Sequence, residues 1–255
     1  MRLTVLGKSP SWPDAGGACS GYLLEHGDRA ALMDCGNGVF AKLRERRGYR
    51  DVEAVLISHL HGDHVLDLVP FAYALTLGPG AGGGGPKPRL IAPAGAGDFF
   101  RRLAGTWGGE ELIADAFEIE EYEPGDGVEA AGITARMHPV PHIGPTHAIE
   151  LLAPGGGRIV FGADGRYSEE LIAAAEGAEV LIAEATLPEP ELKPLEERVH
   201  MSAEEAGELA ARAGAGRLVL THITDELDAD RSLAAARAAF DGAVEIAREG
   251  ASFEV

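Results

Sequence analysis

Short apolar runs separated by turn-forming residues dominate the first third of the chain. Those at 3–6, 21–25, 30–33 and 54–57 predict strands, the last of them buried on both faces. Between them, 38–46 reads as a helix stopped near Gly48. Val65, Leu68, Val69 and Ala72 fall on one face of a predicted helix over 64–77. The Gly- and Pro-rich stretch 79–88 is a loop. A strand at 90–92 and a helix at 99–103 resume after it. That continuity favours a loop flanking a site within one domain, 1–255, over a linker between two.

The second half repeats this style. Strands are predicted at 132–137, 148–152, 158–161, 180–183, 218–221 and 244–246. Ser168 is placed to cap a helix over 168–175. Ser202 with Glu205 three residues on forms a capping box that opens a helix to about Ala213. A last helix covers 232–240. Two β-rich halves, each carrying helices, predict an α+β protein: a four-layer αββα sandwich with two sheets face to face. The pattern alone leaves other α/β and α+β layouts open.

Chemistry concentrates after the strand at 54–57, where His59-Leu60-His61-Gly62-Asp63-His64 places three imidazoles and a carboxylate within six positions. These groups suit zinc and similar divalent ions. A turn at Gly62 can send His59 and His61 to one ion and Asp63 and His64 to another. Three more polar residues sit beside predicted strands: His142 before one, Asp164 and His222 after others. Each is weak alone. As a set they complete two sites: His59, His61 and His142 for one ion, Asp63, His64 and His222 for the second, and Asp164 between them. Seven ligands exceed what a single octahedral ion takes. His138 and His147 compete with His142 for the third place at the first ion. Asp67 stands between two roles, a partner for a ligating imidazole and a solvent-facing helix residue. Trp12, Phe71, Tyr73 and Trp107 read as core or rim residues, with a substrate pocket as the other option.

With these residues in hand, the chain resembles the metallo-β-lactamase superfamily over nearly its whole length. The motif at 59–64 is intact, and His142, Asp164 and His222 follow in family order. Leu6-Gly7, Cys19-Ser20-Gly21-Tyr22-Leu23, Glu184-Ala185-Thr186 and His200-Met201-Ser202-Ala203 are similar to the ribonuclease-Z-like branch. The resemblance implies the αββα sandwich with metals at one edge between the sheets. It selects His142 over His138. It implies a catalytic group of Asp63, His200 and Glu184, with His200 protonating the leaving oxygen and Glu184 orienting it. The cofactors it implies are two divalent ions, zinc first, with manganese or iron as alternatives.

Two metals about 3.5–4 Å apart can hold a bridging hydroxide as nucleophile. Phosphodiesters, thioesters, lactones and β-lactams all fit that core. A general acid matters most when an alkoxide must leave, so His200 tilts the expectation toward a phosphodiesterase. A thioesterase or lactonase, and a non-catalytic metal-binding protein, are the alternatives.

Composition narrows the substrate. The 255 residues carry a net charge of −19, which suits long nucleic acids poorly because phosphates are held by Lys and Arg. The densest basic group, Arg44, Arg46, Arg47 and Arg50, is broken by Glu45 and Asp51 and reads as a solvated helix face and its exit loop. True ribonuclease Z enzymes insert a transfer-RNA-binding arm between the third His and the bridging Asp. Here 142–164 has room only for one hairpin. A small or cyclic-nucleotide-like substrate is therefore expected, with no long nucleic acid and no membrane partner. A homodimer is the assembly that family habit suggests. No apolar run reaches the roughly 20 residues of a membrane span, and 1–6 read straight into a strand, so a cytoplasmic location is expected. Cys19 and Cys35 are too few for a disulfide framework. A bridge between them is one option, and reduced, part-buried thiols are the expectation.

Overall fold

The computed structural model describes residues 1–81, 86–125 and 127–255, so part of the predicted 79–88 loop lies outside the described residues. Among the described residues, fourteen strands run in chain order as β1 (Arg2–Gly7), β2 (Gly21–His26), β3 (Arg29–Cys35), β4 (Val52–Leu56), β5 (Arg89–Pro93), β6 (Glu118–Tyr122), β7 (Gly127–Ala130), β8 (Ile133–Pro139), β9 (His147–Leu152), β10 (Arg158–Phe161), β11 (Val180–Glu184), β12 (Arg217–Thr221), β13 (Ala243–Ile246) and β14 (Ser252–Glu254). The helices are α1 (Val39–Arg46), α2 (Gly62–Val65), α3 (Leu68–Leu77), α4 (Ala96–Gly105), α5 (Leu112–Ala116), α6 (Glu169–Ala175), α7 (Ala203–Ala213) and α8 (Ala229–Ala239). Among the described residues none is long and apolar enough to cross a membrane.

The strands form two seven-stranded sheets, β14-β1-β2-β3-β4-β5-β6 and β13-β12-β11-β10-β9-β8-β7. Each changes from antiparallel to parallel pairing partway across, at β3 in the first and at β10 in the second. Open sheets gather functional groups beyond the carboxyl ends of their strands near such changes of direction. Both sheets bring that region to the same edge of the sandwich.

Side-chain alternation explains the layers. In β3, Ala31 and Met33 face the other sheet, while Ala30 and Leu32 face α1, α3 and α4. In β11, Val180 and Ile182 face inward, while Leu181 and Ala183 meet α6 and α7. Both faces are thus covered, which is why these parallel strands read as unbroken apolar runs. Truncating one such leucine to alanine costs about 2–5 kcal/mol. Leu32 and Leu181 are fully buried examples.

The caps read from sequence are present. Ser168 accepts from Leu171 N, and Ser202 and Glu205 form the reciprocal box. One helix is corrected. The continuous helix predicted over 64–77 is two, α2 and α3, with the break at residues 66 and 67. Pro70 cannot donate to the carbonyl four residues back, and its ring clashes there. The Leu66 carbonyl accepts from Val69 N instead, and at the break Asp67 N–H donates to Cys35 O. Cys19 and Cys35 are free and buried, and burial pushes the Cys19 thiol up to about 12.

Candidate metal centre

Each site residue stands at the carboxyl end of a central strand or in the loop that follows. His59 lies in the exit of β4, Asp164 in that of β10, Glu184 at the end of β11 and His222 after β12. The exits are strained. Asp34, Ala163 and His222 hold φ of 56°, 53° and 49°, a region that non-glycine residues seldom occupy. The chain also passes very close to itself here. A Cβ on Gly36 would lie 1.8 Å from the Asp63 carbonyl oxygen, so only glycine lets the β3 exit brace the turn carrying His61–His64.

The structure brings all seven sequence-selected ligands together in two groups that share one carboxylate. His59, His61, His142 and Asp164 form the first, and Asp63, His64, Asp164 and His222 the second. Within each group the donor atoms lie within 4.8 Å of one another. Asp164 is 2% exposed and sits in the middle. Its Oδ2 is 3.8 Å from His59 Nε2, 4.0 Å from His142 Nε2 and 3.2 Å from His222 Nε2, and its Oδ1 is 3.4 Å from His64 Nε2. His222 Nε2 is 3.1 Å from Asp63 Oδ2.

The backs of the imidazoles show which nitrogen faces inward. His64 Nδ1 donates to Asp34 Oδ2 at 2.7 Å, and Ser58 Oγ donates to the same oxygen at 2.8 Å. With its proton so used, Ser58 Oγ accepts from His59 Nδ1 at 3.1 Å. His142 Nδ1 donates to Val199 O at 2.8 Å. His222 Nδ1 lies 2.7 Å from Thr186 Oγ1. The rings of His59, His64 and His142 therefore spend Nδ1–H outward, which leaves the lone pair of a neutral ring on Nε2, turned into the cluster. The Nε2 atoms of His59 and His64 are buried with no hydrogen-bond partner, and buried polar atoms normally have one. Such a set fits a divalent ion.

The electrostatics agree. Burial, with the nearby imidazoles, lowers the pKa of His59, and burial lowers those of His61 and His142, all toward the neutral ligand form. Burial opposes charge on Asp164, but His222 and His64 outweigh it and hold the carboxyl well below its usual range. Burial likewise opposes charge on His64, yet Asp164 and Asp34 raise its pKa well above the ordinary value. That field favours positive charge at this point, and a metal cation satisfies it as a proton does.

Beside both groups lies His200. Its Nδ1 is 2.9 Å from Glu184 Oε1, and its ring centroid is 5.1 Å from that of His142 and 5.6 Å from that of His222. Glu184, fully buried, also accepts from Gly165 N, Met201 N and Thr186 Oγ1. Burial works against a charged His200, but the Glu184 carboxylate wins and raises its pKa.

The competitors are placed elsewhere. His138 is engaged by Glu150 at 3.0 Å, and His147 is buried with Nδ1 3.3 Å from Tyr122 Oη. Asp67 turns to the start of α1, accepting from Phe40 N at 2.8 Å, and touches no ligating imidazole. Phe71 is core, while Trp12, Tyr73 and Trp107 are exposed. Of the basic group, Arg47 pairs with Glu25, and Arg50 donates to the carbonyls of Ala74, Leu75 and Pro79. Sequence reasoning missed Asp34 and Ser58, and gave Thr186 no role. A carboxylate directly after an apolar strand was the available signal for Asp34.

Residues 29–223 match the β-lactamase superfamily domain. The chain is 29% identical over 254 residues to the probable metallo-hydrolase YhfI of Bacillus subtilis, covering 100% of both, and 29% identical over 307 residues to the ribonuclease Z of Myxococcus xanthus, covering 100% of this chain and 98% of that protein. The crystal structure of YhfI superposes with a TM-score of 0.87, covering 100% of this chain and 99% of that one. The short form of human tRNase Z gives 0.78 at 20% identity, over 100% and 99% of the two chains, a likeness of fold.

Proposed function

Since the chain belongs to the β-lactamase superfamily, we propose that residues 1–255 act as one metal-dependent hydrolase domain with a dinuclear centre that cleaves small phosphodiesters. His59, His61 and His142 would hold one ion, Asp63, His64 and His222 the other, with Asp164 shared. Zinc suits this mixture of imidazole and carboxylate, with manganese or iron as alternatives. When bound, the ions would supply Lewis-acid polarisation of the scissile group and lower the pKa of a water toward neutrality.

One observation carries the phosphodiester reading: His200, backed by buried Glu184, stands between a ligand of the first group and a ligand of the second. A substrate spanning the two groups would present its leaving oxygen to that ring. Glu184 favours the cationic imidazole, and the cation would stabilise negative charge on the phosphoryl oxygens. Its proton then passes to the departing alkoxide. Asp63, facing both His64 and His222, is placed to take a proton from the attacking water. A thiolate needs no proton to leave, so a thioesterase would make little use of His200.

Two features favour a small substrate. The interval between His142 and Asp164 is filled by β9, β10 and the short connection at 153–157, as a plain hairpin. The net charge of −19 repels polyphosphate backbones. We therefore expect a cyclic nucleotide or a comparably small diester as substrate.

The test is a substrate panel, with zinc or manganese added: bis-p-nitrophenyl phosphate, a 3′,5′-cyclic nucleotide, a thioester, a lactone and a precursor transfer RNA. Turnover confined to the small phosphodiesters is expected. Preference for the thioester or lactone would replace this reading with an acyl hydrolase, efficient transfer-RNA cleavage would remove the size argument, and no turnover would point to a binding protein.

His142→Ala should lose metal from the first group, whereas His138→Ala should retain it, because His138 is held by Glu150. Elemental analysis of the two variants decides this. Metal loss in the His138 variant alone would reverse the assignment.

A further inference from the structure

Building on the dinuclear reading above, we propose that Thr186 is a positioning residue: its hydroxyl locks His222 in the tautomer that a metal requires and ties that ring to the Glu184–His200 pair. Thr186 stands two residues beyond the end of β11 and is half-buried. Its Oγ1 lies 2.6 Å from Glu184 Oε2, 2.7 Å from His222 Nδ1 and 3.1 Å from His222 O.

A hydroxyl has one proton and two lone pairs, so its direction can be argued. Were the proton given to His222 Nδ1, the Thr186 and Glu184 oxygens would face each other at 2.6 Å with lone pairs only. That arrangement is repulsive, and Glu184 is fully buried. The carboxylate already draws N–H groups from Gly165, Met201 and His200, the pattern of an ionised acceptor. The Thr186 proton therefore goes to Glu184, the shorter and charge-assisted bond. Its lone pair must then receive Nδ1–H of His222. His222 Nε2 then faces Asp63 and Asp164 at 3.1 and 3.2 Å, where its lone pair would be offered to a cation held by the two carboxylates.

Thr186 Oγ1 is the group that meets His222 Nδ1 among the described residues. His222 follows β12 with φ of 49°, outside regular strand geometry, so the ladder does not fix its ring. Thr221, the preceding hydroxyl, is engaged by Tyr22 Oη at 2.6 Å. Thr186 thus joins a ligand of the second group to Glu184, whose other carboxylate oxygen holds His200. His142, in the first group, is oriented by Val199 O, immediately before His200. Both ends of the connection from β11 to α7 therefore hold a ligand in place.

Partners behind a metal ligand typically change metal affinity by about 10–100-fold when removed. The experiment is a chelator-competition titration with zinc alone on the full chain, comparing the native protein with Thr186→Val, Thr186→Ala and Thr186→Ser. The second zinc equivalent should weaken by about 10–100-fold in the valine and alanine variants, the first should hold, and serine should restore native affinity. Nitrogen-15 spectra of histidine-labelled, metal-stripped protein supply a readout independent of metal. The His222 ring should be protonated on Nδ1 in the native and serine proteins and mixed in the others. Native zinc affinity and tautomer in the valine variant would overturn the proposal, as would a serine variant no better than valine. Alanine serves the same comparison if valine folds poorly. If the native protein takes only one equivalent, the dinuclear reading fails, and the tautomer spectra still decide the role of Thr186.

Discussion

Replacing His200 by alanine should slow hydrolysis of an alkyl phosphodiester by about 10²–10⁴-fold, the usual value of general acid catalysis, with metal content unchanged. Metal content should hold because His200 belongs to neither group that shares Asp164. The rate should fall because an alkoxide leaves slowly without a proton. With p-nitrophenolate as the leaving group the loss should be far smaller, since that anion departs unprotonated. Glu184→Gln should show the same pattern more weakly, because one amide oxygen can still accept from His200 but no longer supports its charge. Rates measured with both leaving groups on the two variants check this. Equal losses would show that His200 is not the acid. Loss of metal would make it a ligand or a support and remove the main argument for a phosphodiester.

Asp164→Ala should do more damage still, abolishing tight binding at both groups and turnover with it. Asp164 is the one carboxylate common to the two groups. Its removal takes away the carboxylate facing His59 and His142, and leaves His64 and His222 with Asp34 and Asp63 alone. Replacing a residue behind a ligand costs about 10–100-fold in affinity, and loss of a shared ligand should exceed that for both ions. Calorimetric zinc titration checks it. An Asp164→Ala protein that held two ions at native affinity would show that the groups are not joined through this residue.

The site was legible in sequence to the extent that its chemistry is local or sits at strand ends. The cluster at 59–64 announces itself within six positions, and Asp164 and His222 follow apolar runs that read as buried strands. The signal of Asp34 was too weak to act on, for a physical reason. Its partners Ser58 and His64 lie 24 and 30 residues away, and a lone carboxylate after a strand reads as a turn residue until the fold folds it inward. Thr186 likewise meets His222 across 36 residues.

The same limit applies to the fold. β6 is missed because its sequence, Glu118-Ile119-Glu120-Glu121-Tyr122, is too charged to show a buried run. β14 is short and depends on pairing with β1 from the far end of the chain. α4 begins before its predicted start because its cap comes from a distant strand: Glu121 accepts from Gly95 N and Gly97 N. That contact also holds the Glu121 carboxyl below its ordinary range. Pro70 was the exception. The signal for a break was present at a single position and was outweighed by the helical periodicity around it.

The most direct test of the central claim is metal stoichiometry followed against activity. Metal-stripped protein should be titrated with zinc or manganese while bound metal and bis-p-nitrophenyl phosphate hydrolysis are read on the same samples. Two ions should bind per chain, with full activity reached only as the second site fills. Saturation at one ion per chain under supplementation, with full activity already present there, would contradict it.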